Sequence, residues 1–149
     1  VYGPLGTYDG GKEKAPAALS RKIALAKDGS DIEIWGDGEQ TRSFCYISDL
    51  VEGVVKLAES DVNEPVNIGN PSELSIVEMA QLIIQATGSR SKIVYQPLPI
   101  DDPKVRRPDI TLAKTKLDWS PQVNLAQGLE ETVTYFRNVL SQSFKDATV

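Results

Sequence analysis

The sequence predicts a small α/β domain, with short strands and helices mixed along the chain in the manner of an α+β fold. Segments with apolar residues at helical spacing alternate with short runs of β-branched and aromatic residues, in the order α, β, β, α, β, α, β, α, α. The 149 residues, 40% of them hydrophobic, also suffice for one domain with its own core.

Composition argues against several classes of function. The formal net charge of −5 disfavours a nucleic-acid partner, which requires a basic surface. No apolar run approaches the roughly 18 residues of a membrane span, so no membrane partner is expected. The chain has no histidine and one cysteine, Cys45, so neither a metal site nor a nucleophile paired with histidine is expected. A lone cysteine forms no internal disulfide and fits a cytoplasmic location.

The first part of the chain is predicted to be a glycine-rich loop over residues 1–14, followed by a helix over residues 16–27. Pro16 suits the first turn of that helix, its apolar residues recur at helical spacing, and Gly29 ends it. A short strand is predicted next, from Ile32 to Trp35.

A turn at Gly36 and Gly38 is predicted to lead into a strand from Ser43 to Ile47 and then a helix over residues 49–59. The predicted buried face of this helix consists of Leu50, Val54, Leu57 and Ala58. A further apolar strand is predicted from Val66 to Ile68.

The next helix has the clearest signals, because Ser75 and Glu78 form a capping box and Gly88 follows the last apolar residue. Its predicted core residues are Ile76, Met79, Ala80, Ile83 and Ile84. A strand is predicted from Lys92 to Gln96, and the proline-rich residues 97–109 are predicted to be irregular.

The chain is predicted to end with a short helix over residues 111–117 and a longer one that opens at Asn124. The predicted buried stripe of the last helix is Leu125, Leu129, Val133, Phe136 and Leu140. Residues 1–140 are therefore predicted to form the domain, and residues 141–149 a disordered tail.

Arg42 stands where the glycine turn becomes a strand. A guanidinium beside exposed backbone N–H groups suits a phosphate, which accepts a planar fork of donors. The same pattern also fits a hairpin that merely carries a surface arginine, and spacing alone does not separate the two interpretations.

Residues 36–49 resemble the segment "GDG-x-Q-x-R-x-F-x-Y-(I/V)-x-D" of the extended short-chain dehydrogenase/reductase family, the NAD-dependent epimerases, dehydratases and decarboxylases of nucleotide sugars. This resemblance implies that Arg42 contacts the diphosphate of the substrate and makes Gln40 a second candidate for substrate binding. The turn at Tyr2-Gly3-Pro4 matches the "YGP" of the same family.

Residues 10–18 resemble "GG-(R/K)-EKAPAA" of the GDP-mannose 3,5-epimerase group within that family. The resemblance implies that Lys14 exchanges a proton at the sugar ring, as a catalytic residue, and that Lys22 lies near the diphosphate. A helix N-terminus and burial would lower the pKa of such a lysine. Each lysine is also compatible with an ordinary solvated side chain.

Residues 98–109 resemble "LP-x-DDP-x-x-R-(R/K)-PD" of the UDP-glucuronate decarboxylases and related dehydratases. The resemblance implies a second phosphate contact by Arg107, whose backbone Pro108 biases toward an extended conformation. Residues 116–121 match "K-x-L-G-W-x-P" with Asp118 in place of glycine, and Trp119 is interpreted as a core anchor.

A Rossmann fingerprint is absent, since no G-x-G-x-x-G follows a strand. NAD, the cofactor that the family implies, is therefore expected to bind an N-terminal half that precedes this chain. Tyr8 and Lys12 have the spacing of the family's catalytic pair, but the Gly-Gly pair between them disfavours the helix that this pair needs. The chain by itself is thus predicted to bind no cofactor and to be inactive.

The sequence therefore predicts the C-terminal, nucleotide-sugar-binding portion of an extended Rossmann-type enzyme, either a UDP-glucuronate decarboxylase-like protein or a sugar epimerase. An exposed apolar face where the missing half would pack predicts a homodimer or other self-association. The alternative is a non-catalytic α+β interaction module without a nucleotide site. Titration with UDP- and GDP-sugars distinguishes the two.

Overall fold

The structure is a computed structural model that describes residues 1–6, 31–97 and 107–146. Helices and strands are mixed along these residues, in agreement with the predicted α/β class. The elements are β1 (Asp31–Trp35), β2 (Thr41–Ser43), α1 (Ile47–Ala58), β3 (Glu73–Ser75), α2 (Ile76–Thr87), β4 (Lys92–Gln96), α3 (Thr111–Leu117) and α4 (Leu125–Asp146). The helix predicted over residues 16–27 lies outside the described residues.

The strands form two small sheets. β1 pairs in parallel with β4, so that Asp31 faces Lys92 and Trp35 faces Gln96. β2 pairs antiparallel with β3, so that Thr41 faces Ser75. On β1 the odd-numbered residues are exposed, while Ile32 and Ile34 are each 2% exposed and point into the core. The strands predicted at Ile32 to Trp35 and at Lys92 to Gln96 are therefore confirmed.

The larger core lies between α2, α4 and the inner face of β1. On α2, Met79, Ala80 and Ile83 have no exposed surface, while Ile76 and Ile84 pack at the edge of the same cluster. The capping box is present, because Ser75 Oγ accepts the Glu78 amide at 3.2 Å and Glu78 Oε2 accepts the Ser75 amide at 2.9 Å. Gly88 ends the helix with φ 67°, a left-handed conformation suited to glycine.

A second, smaller core joins α1 to α3 and the segment after it. Its buried members are Cys45, Ile110, Ala113, Leu117 and Trp119. The indole of Trp119 is 2% exposed and donates from Nε1 to the carbonyl of Asp49 at 3.0 Å. This confirms Trp119 as a core anchor, since a buried indole needs an acceptor for its N–H.

The predicted strand from Ser43 to Ile47 is wrong in extent. β2 covers only Thr41–Ser43, because its partner β3 is three residues long and ends opposite Ser43 at Glu73. Ile47 begins α1 instead, and its amide donates to the carbonyl of Tyr2 at 2.9 Å. β3 itself was not predicted, and the strand predicted over residues 66–68 is absent from the described structure.

The buried face of α1 differs from the predicted one. Gly53 is buried there, and a Cβ added to it would lie 2.5 Å from Ile68 Cγ2. This close approach turns Leu50 and Leu57 toward the second core and leaves Val54 and Ala58 outside, so the prediction was wrong for the latter two. Val51, Val54 and Val55 are 52%, 52% and 48% exposed, and together they form the valine face of α1.

α4 opens as predicted, because Asn124 Oδ1 accepts the amide of Gln127 at 2.9 Å. Leu129, Val133 and Phe136 are buried, and Leu125 packs at the edge of the larger core. The helix continues to Asp146 and so enters the stretch 141–149 that is predicted to be a disordered tail. Among the described helices, none has both the length and the apolar character to cross a membrane.

Candidate functional site

The glycine turn before Arg42 is held by hydrogen bonds from several directions. Gly36 and Gly38 both have φ 79°, a conformation that disfavours other residues. Asp37 Oδ1 accepts the amide of Glu39 at 2.9 Å, and Gln40 Nε2 donates to the carbonyl of Trp35 at 2.8 Å. The amide of Gly36 also donates to Gln96 of β4 at 2.7 Å. The turn is therefore a fixed platform at the end of β1.

Gln40 stabilises this turn, because its side-chain amide donates to the carbonyl of Trp35. Its Oε1 atom is buried and has no hydrogen-bond partner among the described residues. The predicted contact between Gln40 and a substrate is not tested by this arrangement. It stays a prediction.

Arg42 occupies the middle of β2, opposite Leu74 of β3, and is half-buried. Its Nη1 donates to the carbonyl of Thr41 at 2.7 Å. A side-chain hydrogen bond also joins β2 to β3, since Thr41 Oγ1 donates to Glu73 Oε1 at 2.7 Å. The guanidinium is therefore kept close to its own strand rather than extended into solvent.

Arg107 is exposed and lines a cavity of about 400 Å³ together with Pro71, Ile110 and Lys114. Asp109 lies in the same wall, where its Oδ1 accepts the hydroxyl of Thr111 at 2.6 Å and the amide of Thr111 at 2.9 Å. These hydrogen bonds, with a smaller contribution from the charge of Arg107, lower the pKa of Asp109. Arg107 thus lies in the same wall as an ionised carboxylate.

A second cavity, of about 490 Å³, adjoins the first, because Pro71, Ile110 and Lys114 line both. Its other lining residues include the polar side chains of Asn70, Ser72, Ser120, Gln122 and Asn124. We call the two cavities together the Arg107 groove. Sequence reasoning missed Lys114, because nothing in the sequence distinguishes it from an ordinary exposed lysine on a helix.

The strand of Arg42 is connected to the Arg107 groove through Asn70. Asn70 Nδ2 donates to the carbonyl of Phe44, two residues after Arg42, at 3.1 Å. Three residues after Asn70, Glu73 pairs with Ser43 in the β2–β3 ladder. Arg42 itself is not among the residues that line either cavity. A single cleft shared by Arg42 and Arg107 therefore stays a prediction.

Lys14 and Lys22 lie outside the described residues, as do Tyr8 and Lys12. Their predicted roles are not tested.

The buried titratable groups near α1 do not suit acid–base chemistry at neutral pH. Burial, with the nearby charge of Asp49, raises the pKa of Cys45 to about 11. Burial and a hydrogen bond to Glu131 raise the pKa of Tyr46 to about 12. Burial likewise raises the pKa of Tyr2. These three side chains stay protonated near neutrality and act as packing groups.

Comparison with known proteins finds relatives among nucleotide-sugar enzymes. Residues 1–69 match the sequence profile of the NAD dependent epimerase/dehydratase family. GDP-mannose 3,5-epimerase of Arabidopsis thaliana is 45% identical over 136 residues, which are 91% of this chain and 35% of that protein. UDP-glucuronic acid decarboxylase 1 of Xenopus tropicalis is 48% identical over 122 residues, which are 82% of this chain and 29% of that protein.

Among solved structures, UDP-glucose 4-epimerase of Thermotoga maritima with UDP-glucose superposes with a TM-score of 0.86 and 33% identity. The match covers 93% of this chain and 44% of that one. The chain therefore spans about a third of the length of its curated relatives and less than half of this structural neighbour. The resemblance inferred from the motifs is confirmed to the extent that both GDP-mannose 3,5-epimerases and UDP-glucuronic acid decarboxylases are found among the relatives. The division of that resemblance between the front and back halves of the chain stays a prediction.

Proposed function

We infer that the chain belongs to the NAD-dependent epimerase/dehydratase family and propose that it is the nucleotide-sugar-binding portion of such an enzyme. The proposed reaction of the longer protein is that of a UDP-glucuronate decarboxylase-like enzyme or of a sugar epimerase. The observation that carries this proposal is the link between β2 and the Arg107 groove through Asn70. Asn70 bonds to Phe44, two residues after Arg42, and lines the cavity that adjoins the one lined by Arg107. Each of the two arginines stands in a family motif.

In this proposal Arg42 and Arg107 bind the diphosphate. A diphosphate carries about two negative charges, and guanidinium groups offer charge-assisted, often bidentate hydrogen bonds to phosphate oxygens. Pro71 lines the same cavity as Arg107, and Asn70 lines the adjoining one, so the ligand is proposed to lie along these two residues. Lys22 and Gln40 are proposed as further substrate contacts, and Lys14 as the group that exchanges a proton at the sugar.

The residues of this chain do not fit an NAD site of their own. Dinucleotide binding uses a glycine-rich turn between a strand and a helix, and the sequence has no G-x-G-x-x-G. We therefore propose that NAD, the carrier of hydride in this family, is bound by the remainder of the longer protein. The chain alone is proposed to be inactive, and its location is proposed to be cytoplasmic.

We also propose self-association through the valine face of α1. Three neighbouring valines that are about half exposed form an apolar surface on one side of a helix. A second copy of the chain can cover this surface symmetrically, as in a homodimer.

The experiment that tests the proposed function is calorimetric titration of the 149-residue chain with UDP-glucuronate, UDP-glucose, GDP-mannose and NAD. We expect saturable binding of at least one nucleotide sugar and none of NAD. The absence of binding to every nucleotide sugar would favour the alternative, an interaction module without a nucleotide site. Binding of NAD would contradict the assignment of the cofactor to another part of the protein.

A further inference from the structure

We propose that Lys114 is an additional binding residue for the substrate diphosphate and acts beside Arg107 in the Arg107 groove. This inference rests on the proposed function and extends it to a residue that the sequence motifs do not mark. It follows from the position of Lys114, from its lack of a partner and from the charge of the groove.

Lys114 lies where the two cavities meet, because it lines both. It belongs to α3, and its amide donates to the carbonyl of Ile110 at 3.0 Å. Ile110 is 4% exposed and belongs to the second core. The backbone that carries Lys114 is therefore attached to the core, and its side chain leaves the helix on the cavity side.

The ammonium group of Lys114 has no hydrogen-bond or ion-pair partner within the described part of the chain. Lys56 on α1 shows the contrast. Its Nζ donates to the carbonyl of Asp118 at 2.8 Å and lies 3.4 Å from Glu52 Oε1. The donors of Lys56 are thus occupied by the protein, whereas those of Lys114 are available to a ligand.

The groove carries an excess of positive charge in an acidic chain. Its charged described lining residues are Arg107, Lys114 and Asp109, two cations against one carboxylate, while the whole chain has a net charge of −5. Asp109 already accepts two hydrogen bonds from Thr111. A ligand with two negative charges fits this balance better than a neutral one.

Several neutral polar residues of the groove form hydrogen bonds within its wall. Gln122 Nε2 donates to the carbonyl and the hydroxyl of Ser120, at 2.9 and 3.0 Å. Asn70 donates to Phe44 and accepts the amide of Ser72 at 3.0 Å. The wall is thereby fixed before a ligand arrives, and Lys114 remains the unpaired cation that faces both cavities.

The test compares Lys114→Gln with Lys116→Gln. Lys116 is an exposed lysine on the same helix that lines neither cavity, so both variants lose one charge from α3. Binding of UDP, GDP and their nucleosides is measured by calorimetry, with circular dichroism to check the fold. We expect Lys114→Gln to weaken binding of the preferred diphosphate about three- to tenfold. Lys116→Gln should change it less than about twofold, and Lys114→Arg, which keeps the charge, should restore it.

Nucleosides lack the diphosphate, so they distinguish loss of a phosphate contact from a general loss of nucleotide binding. If Lys114 contacts the diphosphate, uridine and guanosine bind equally to the wild type and to Lys114→Gln. Equal effects of Lys114→Gln and Lys116→Gln on the diphosphate, with Arg107→Gln weakening it, would overturn the role of Lys114 and leave the proposed function intact. If the wild type binds neither UDP nor GDP, the proposed function fails and the inference fails with it.

Discussion

The carboxylate of Asp49 accepts a hydrogen bond from the backbone amide of Val123, 74 residues later in the chain, at 3.0 Å. The carbonyl of the same aspartate accepts the indole N–H of Trp119. Asp49 is 4% exposed and stands in the first turn of α1. One residue therefore fixes both ends of the segment from Trp119 to Val123, which forms part of the wall of the Arg107 groove.

Asp49→Ala should lower the free energy of unfolding by about 1–3 kcal/mol, because the amide of Val123 loses its acceptor in a partly buried position. Asp49→Asn should cost less, since an amide oxygen can accept the same hydrogen bond. Urea denaturation followed by circular dichroism measures both. Glu52→Gln, an exposed change on the same helix that removes only the solvent-exposed pair with Lys56, is the control and should stay within about 0.5 kcal/mol of wild type. An Asp49→Ala variant as stable as this control would show that the hydrogen bond is dispensable.

Gly128→Ala should destabilise the domain, although alanine is the better helix former by up to about 1 kcal/mol. A Cβ at position 128 would lie 2.2 Å from Tyr2 Oη and 2.9 Å from Tyr46 Cδ2, so either α4 or the two tyrosines must move. Overpacking of this kind lowers the free energy of unfolding by about 1–3 kcal/mol. Thr134→Ala, at an exposed position of the same helix, should be neutral or stabilising in the same urea experiment. A stabilised Gly128→Ala variant would mean that α4 does not approach Tyr2 so closely.

The elements that could be predicted from the sequence are those whose signals are local. α2 has its capping box, its apolar stripe and its terminal Gly88 within 14 consecutive residues, Ser75 to Gly88, and all of them are found in the structure. β3 could not be predicted, because Glu73–Ser75 becomes a strand only by pairing with β2. The orientation of α1 was missed for a related reason. Its buried face is centred on Gly53, which has no side chain to mark it.

The residues of the candidate site also differ in whether the sequence alone could suggest them. Arg42 and Arg107 could be proposed from the sequence because each stands in a family motif, and of the two Arg107 lines the groove whereas Arg42 does not. Lys114 could not, since an exposed lysine on a short helix has the same sequence signal wherever it points. Its place in the groove depends on the fold, which brings Pro71, Ile110 and residues 120–125 around one cavity although they are distant in sequence.

Alkaline pH should destabilise the domain through Cys45. Its pKa rises from an ordinary value of 9.0 to about 11 in the fold, so the folded state favours the thiol. This contribution to stability is complete below pH 9 and is lost as the pH rises toward 11, because the unfolded chain ionises first. Between pH 8 and pH 10 the free energy of unfolding should fall by about 1 kcal/mol more in wild type than in Cys45→Ala. Urea denaturation at the two pH values measures this. An equal fall in the free energy of unfolding in wild type and Cys45→Ala would contradict the burial of this thiol.

Self-association should weaken when the valine face of α1 is made polar. In Val51→Ser/Val54→Ser two of its three half-exposed valines lose their apolar groups, and sedimentation velocity should show a lower average mass than for wild type. Leu112→Ser, which alters a 37% exposed apolar residue on α3, is the control and should leave the mass distribution unchanged. A wild-type chain that sediments as a monomer at high concentration would remove the basis for this interface.

Arg42→Lys and Arg107→Lys should each weaken nucleotide-sugar binding while leaving stability nearly unchanged. Lysine keeps the positive charge but loses the planar fork, so an effect of this substitution reports on bidentate phosphate binding rather than on charge alone. A charge-assisted contact contributes about 1.5–3 kcal/mol, and loss of half of it weakens binding roughly three- to tenfold. Calorimetry with the preferred nucleotide sugar measures the change, and thermal unfolding checks the fold. Lys116→Arg serves as a control outside the groove. If only Arg107→Lys weakens binding, then Arg42, whose Nη1 already donates to Thr41, serves its own strand and the two arginines do not share one diphosphate.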